Sequence, residues 1–169
     1  MPLTNEILAK HPNEMFVETG TFHGEAVAIA LAMGFTTIHT CDVDPVSIDE
    51  VKPRYADNPN VHVTLCGSQN MLERLLPTLN CPTTFWLDAH PQVDPMPLFD
   101  SAFPLLQELL TIKRLLKGPG HVILMDDMRT FVEHEKNILF FIMKQLWPDA
   151  IHTCYDTNFG ARDVYCCIL

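Results

Sequence analysis

Short apolar runs alternate along the chain with stretches in which apolar residues return every three or four positions. Met15-Phe16-Val17-Glu18, Thr36 to Cys41, Val61 to Leu65, Thr83 to Leu87 and His121 to Met125 read as strands, the third alternating with period two. Between them the spacing predicts helices over 23–35, 45–55, 70–79, 103–117 and 131–147. Asp44 before Pro45 is an N-cap followed by proline in the first turn. The helix over 103–117 carries Leu105, Leu106, Leu109, Leu110, Ile112 and Leu116 on a broad apolar face. Lys113, Arg114 and Lys117 then precede Gly118-Pro119-Gly120, which is a stop signal, so this basic group reads as structural. Ala150 to Tyr155 and Val164 to Leu169 form two closing strands joined by Asp156 to Gly160.

Alternation of strand and helix implies right-handed β-α-β units and a parallel sheet covered on both faces. The near-continuous apolar run of the fifth strand fits a strand buried on both sides. The short final connection requires one antiparallel strand. The expected architecture is α/β, a Rossmann-like three-layer sandwich whose seven-stranded sheet is mostly parallel, with an antiparallel strand near the C-terminus. No linker or repeat divides residues 1–169, so one domain is expected.

Eleven basic against twenty-one acidic residues leave a formal charge of −10. With no basic stripe, nucleic acid is not an expected partner. No apolar run approaches the roughly 20 residues that cross a bilayer, and Met1 to Glu6 lacks the features of a signal peptide. Six cysteines without a C-x-x-C, most of them in apolar β-rich runs, read as reduced and structural, and a cytoplasmic location is expected.

The acids are not scattered evenly. Four of the five predicted parallel strands end in a carboxylate: Glu18, Asp42, Asp88 and the pair Asp126-Asp127. Any one of these could be a turn former or a helix cap. Together they line one sheet edge, where ligands of such folds bind near the switch in strand order. Clustered carboxylates repel, so the pattern points to a cation, either a hard metal or a charged ligand. The first strand–helix turn, Glu18-Thr19-Gly20-Thr21-Phe22-His23-Gly24, is neither a dinucleotide fingerprint nor a phosphate loop. An acid ahead of its glycine suits an amine or a sulfonium.

These motifs resemble the class I S-adenosylmethionine-dependent methyltransferases, and among them the cation-dependent O-methyltransferases. The likeness runs from Glu18 to about Arg129. It implies that Glu18, Gly20, Thr21, Phe22 and Gly24 surround the methionine moiety. Asp42 would accept the ribose hydroxyls beside Val43, and Ser68 and Gln69 would border the adenine. Trp86-Leu87-Asp88-Ala89-His90 and Met125-Asp126-Asp127 resemble the metal-bearing strand ends, with Asp88 also near the cofactor. Asp88, Asp126 and Asp127 would hold Mg²⁺ or another divalent cation, and His90 is the candidate general base. His23 is read as supporting or incidental.

The small-molecule enzymes of this kind carry N-terminal helices that wall the acceptor site, and a basic residue shortly after the fourth-strand acid. Here little precedes the first strand, and Pro91-Gln92-Val93 follows His90. The acceptor would therefore be framed by the proline-rich loop with Phe99 and Phe103, by Arg129 and by Asn158-Phe159-Gly160. Arg129 would clamp an anionic acceptor or form a helix-start salt bridge. The open pocket fits a large or polar small molecule, or is closed by a second subunit in a homodimer. The leading expectation is metal-assisted O-methylation of a small-molecule hydroxyl. Two alternatives are a catalytically silent S-adenosylmethionine-binding module acting in a complex and a metal-dependent hydrolase. The last leaves Glu18, Ser68 and Gln69 without a role.

Overall fold

A computed structural model describes residues 3–90 and 103–169. In chain order the elements are α1 (Asn5–Leu8), β1 (Met15–Thr19), α2 (Glu25–Ala32), β2 (Thr37–Asp42), α3 (Pro45–Val51), β3 (Val61–Leu65), α4 (Ser68–Leu75), β4 (Thr83–Leu87), α5 (Leu105–Leu115), β5 (Val122–Met125), α6 (Glu133–Leu146), β6 (Ile151–Tyr155) and β7 (Val164–Ile168). All seven expected strands form, in the order β3-β2-β1-β4-β5-β7-β6. β7 runs antiparallel to both of its neighbours, and the other pairings are parallel.

Each face of the sheet buries its own core, which makes three layers. Ala26, Val27 and Ala30 of α2 and Ile48 and Val51 of α3 pack on Phe16, Ile38, Trp86 and Leu124. On the other face Met71 and Leu72 of α4, Leu109 and Ile112 of α5 and Leu139 and Met143 of α6 cover Val17, Phe85, Ile123 and Met125. The alternation of partners along each strand is the period-two rule at work.

Helix ends differ from the sequence expectation where local chemistry overrides periodicity. The helix expected from His23 begins at Glu25, because Gly24 adopts a left-handed φ of 74° as its N-cap. A Cβ at Gly24 would lie 2.8 Å from Val51 Cγ1, so this glycine lets α2 start against α3. The helix expected over 70–79 starts earlier, at Ser68, and tightens into a 3₁₀ turn at Leu76–Thr78, where Pro77 removes a donor. The one-turn α1 was not anticipated; Thr4 caps it through Ile7 N, but one turn is too short to show a period.

The strand order reverses between β1 and β4, and the two ends there are tied together. Asp88 N donates to Thr19 O at 3.0 Å, Gly20 N to Cys41 O at 2.9 Å, and Asp126 N to Leu87 O at 3.2 Å. Among the described residues no helix is long and apolar enough to cross a membrane. All six cysteines are free.

Candidate active site

A cavity of 660 Å³ opens over the carboxyl ends of β1, β2, β4 and β5. Gly20 forms its floor at φ 87°, and a Cβ there would sit 2.5 Å from the Asp88 carbonyl oxygen. Only glycine lets the first turn pass so close to the end of β4.

Glu18 is 1% exposed and closes the inner end. Thr40 Oγ1 donates to its Oε2 at 2.5 Å, and Thr21 Oγ1 lies 2.5 Å from Thr40 Oγ1. Burial pushes the Glu18 carboxyl well above its ordinary value, against the Thr40 hydrogen bond and with the help of nearby Asp88, Asp42 and Glu25. Asp42 is held by backbone donors on both oxygens: Phe22 N at 3.0 Å and Asp44 N at 2.9 Å. That fixes its direction toward the cavity, which Phe22, Val43 and Ser68 also line. Phe22 itself adopts φ 44°, a left-handed conformation costly for an aromatic residue.

The second half of the cavity gathers Asp88, His90 and Asp127. Each offers one ligand atom, and these atoms lie within 4.8 Å of one another. His90 Nε2 is 3.0 Å from Asp88 Oδ1 and 3.1 Å from Asp127 Oδ2. Trp86 Nε1 donates to the other Asp88 oxygen at 3.3 Å. Burial raises the Asp88 carboxyl, with the His90 hydrogen bond opposing. At Asp127 burial also pushes upward, but His90 and Arg129 outweigh it and hold the carboxyl below its usual value. Asp126 is 4% exposed. Its Oδ1 accepts from Asp127 N at 2.5 Å. Its Oδ2 has no partner among the described residues, and burial with Asp88 and Asp127 beside it drives its carboxyl well up. The grouped ligand atoms of Asp88, His90 and Asp127, with the unpartnered Asp126 oxygen beside the two aspartates, are a donor set that a divalent cation would satisfy.

Several sequence-designated residues stand away from this cavity, the Asn158-Phe159-Gly160 turn among them. Gln69 is exposed and donates to Glu73 Oε1 at 3.4 Å, one helical turn along α4, rather than joining Ser68 in the lining. Gly24 serves the packing of α2 and is absent from the wall. His23 pairs with Glu50 on the surface. Arg129 lines the cavity but is engaged by Asp127 and Asp163. Phe103 is a core residue, 5% exposed and packed edge-on against Phe131. Phe99 and the stretch from Pro91 lie outside the described residues.

Glu108 lies behind the cavity wall, next to the lining residue Ser68, and was not singled out from the sequence. It is 1% exposed on the buried face of α5, against the hydroxyls of Ser68 and Thr19. Burial pushes its carboxyl up to about 7, with both hydroxyls opposing. A signal existed: an acid spaced three and four residues from Leu105 and Ile112 falls within the apolar stripe of the helix.

Solved structures share this fold. The O-methyltransferase of Bacillus cereus, in complex with S-adenosylhomocysteine, superposes with a TM-score of 0.63 at 15% identity, over 98% of this chain and 78% of that one. The fold is that of the class I S-adenosylmethionine-dependent methyltransferases. An rRNA methylase of Streptococcus thermophilus matches with a TM-score of 0.59 at 14% identity, over 96% and 91% of the two chains. The cmcI protein with Mg-SAM matches with a TM-score of 0.65 at 16% identity, over 98% and 69%. No protein-family profile and no curated protein matches the sequence. The cavity lies at the reversal of strand order, where open α/β sheets bind their ligands.

Proposed function

We propose that the chain is an S-adenosylmethionine-dependent methyltransferase that uses a divalent cation to methylate a small-molecule hydroxyl. The observation that carries this reading is the shared cavity. Glu18, Gly20 and Asp42 line one half and Asp88, His90, Asp126 and Asp127 the other. Methyl transfer from a sulfonium is an in-line displacement, so the protein's task is to align donor and acceptor. Glu18 and the Gly20 turn would receive the methionine moiety, Asp42 the ribose hydroxyls and Ser68 the adenine edge. Asp88, Asp126 and Asp127 would hold the cation, which would lower the acceptor hydroxyl's pKa and fix its direction. His90, aimed by the carboxylates on either side, would take the acceptor's proton. The cmcI neighbour carrying Mg-SAM supports a metal in this fold.

The chain's acidity favours a small acceptor, although an rRNA methylase is among its structural neighbours. Arg129 reads as a structural cation here, since two carboxylates already engage it.

Thermal unfolding with S-adenosylhomocysteine, with and without Mg²⁺, tests the cofactor half. Ligand at about 100 times its Kd should stabilise the protein by roughly 2.7 kcal/mol. Absence of any shift would remove the methyltransferase reading. A nucleoside shift without detectable Mg²⁺ binding would leave a cofactor-binding module. Asp42→Ala should weaken nucleoside binding by about tenfold, the loss of one charged hydrogen-bond acceptor, as read by titration calorimetry. Unchanged affinity would place the ribose elsewhere.

A further inference from the structure

Arg129 is shared unequally between two carboxylates. Asp163, immediately before β7, is fully buried, with 0% side-chain exposure. Arg129 Nη1 donates to both its oxygens at 2.8 Å, and Arg129 N to Oδ1 at 3.3 Å. Thr157 Oγ1 adds a donor to Oδ2 at 2.5 Å. The backbone completes the joint: Met128 N donates to Asp163 O at 2.9 Å, and Asp163 N to Tyr155 O at 2.9 Å. The same Nη1 lies 2.5 Å from Asp127 Oδ1, a single contact on a carboxyl that also faces His90 and the cavity. A fully buried carboxylate needs its counter-ion, whereas the Asp127 side chain keeps 16% exposure.

We infer that Asp163 is a positioning residue of the cation site: by committing Arg129 to itself, it leaves Asp127 the net negative charge that a dication requires. This rests on the reading of Asp127 as a cation ligand. Without the Asp163 charge, Arg129 neutralises Asp127 alone and competes with the metal for the same carboxylate. The connection joins the turn between β6 and β7 to the end of β5, two segments that share no other ion pair among the described residues.

The test is Mn²⁺ binding, read by the loss of the free-ion electron paramagnetic resonance signal, with S-adenosylhomocysteine affinity measured in parallel without metal. Asp163→Asn keeps the shape and loses the charge. It should weaken Mn²⁺ by 10–100-fold, the range for groups that support metal ligands, and leave nucleoside affinity within about twofold, well short of one lost contact. The double variant Arg129→Met with Asp163→Asn removes both charges and frees Asp127. Its Mn²⁺ affinity should return to the wild-type value or exceed it. A merely structural Asp163 would make the double variant no better than the single one, and that result overturns the inference. Should Asp163→Asn alone not fold, the double variant is read against wild type: with Arg129 gone, tighter Mn²⁺ binding supports the inference and binding about tenfold weaker overturns it. Wild-type protein that binds no Mn²⁺ refutes the metal reading itself. Wild-type binding that Asp163→Asn leaves unchanged refutes only the role of Asp163.

Discussion

Asp127→Ala is expected to cut methyl transfer by about a thousandfold, the scale for losing one electrostatic anchor of a reacting group, while nucleoside affinity stays nearly unchanged. In the proposed reading Asp127 stands on the acceptor side of the cavity, against His90 and Arg129, and the residues proposed for the nucleoside lie on β1, β2 and α4. Its loss would take away a cation ligand and one of the two carboxylates that aim His90. Alanine introduces a second effect, because Asp127 has φ 53°, where a Cβ is strained and aspartate and asparagine are tolerated. Asp127→Asn separates the two. It should preserve stability and lose turnover as fully as alanine does. The readout is S-adenosylhomocysteine released in a screen of sugar, phenolic and amino-acid hydroxyls at saturating Mg²⁺. Turnover retained by the asparagine variant would show that no charged ligand is needed at Asp127.

Glu18, Asp42, Asp88 and Asp126-Asp127 could be placed from sequence because parallel β-α-β units put every strand's carboxyl end on one edge. Seven short apolar runs and their connections therefore sufficed to collect these acids, and the sheet order β3-β2-β1-β4-β5-β7-β6 brings them to one cavity. What local pattern could not supply was which side chains meet across elements far apart in sequence. Arg129 and Asp163 are 34 residues apart, and nothing in either segment marks the pair. Gln69 adjoins Ser68 in sequence, yet at the start of α4 the two point in different directions, one to Glu73 and one to Glu108. Gly24 matched a motif position, but its left-handed φ and the Val51 contact give it a packing role. The structure groups His90 with Asp88 and Asp127, while Asp126 turns its Oδ1 to the Asp127 N–H.

Glu108→Gln should flatten the pH dependence of stability between about pH 4.5 and 7. In the folded protein burial holds the Glu108 carboxyl near 7, against 4.5 for an ordinary glutamate. As pH rises the unfolded chain releases this proton first, so unfolding is favoured progressively through that window. The stability that the neutral carboxyl contributes is fully present below the unfolded value and lost above the folded one. A gap of this size corresponds to about 3 kcal/mol between the two ends of the window. Glutamine carries no titrating proton, so its curve should lack this drop. Any fixed cost of placing an amide beside the Ser68 and Thr19 hydroxyls shifts that curve without tilting it. Glu18 and Asp126, also raised by burial, titrate in both proteins, so the difference between the curves isolates Glu108. Urea unfolding at pH 5, 6, 7 and 8 measures it. Parallel curves would mean that Glu108 ionises in the fold as readily as in the open chain. A diverging pair would identify a carboxyl beneath the cavity that stays protonated below about pH 7, sparing the proposed cation site a further negative charge there.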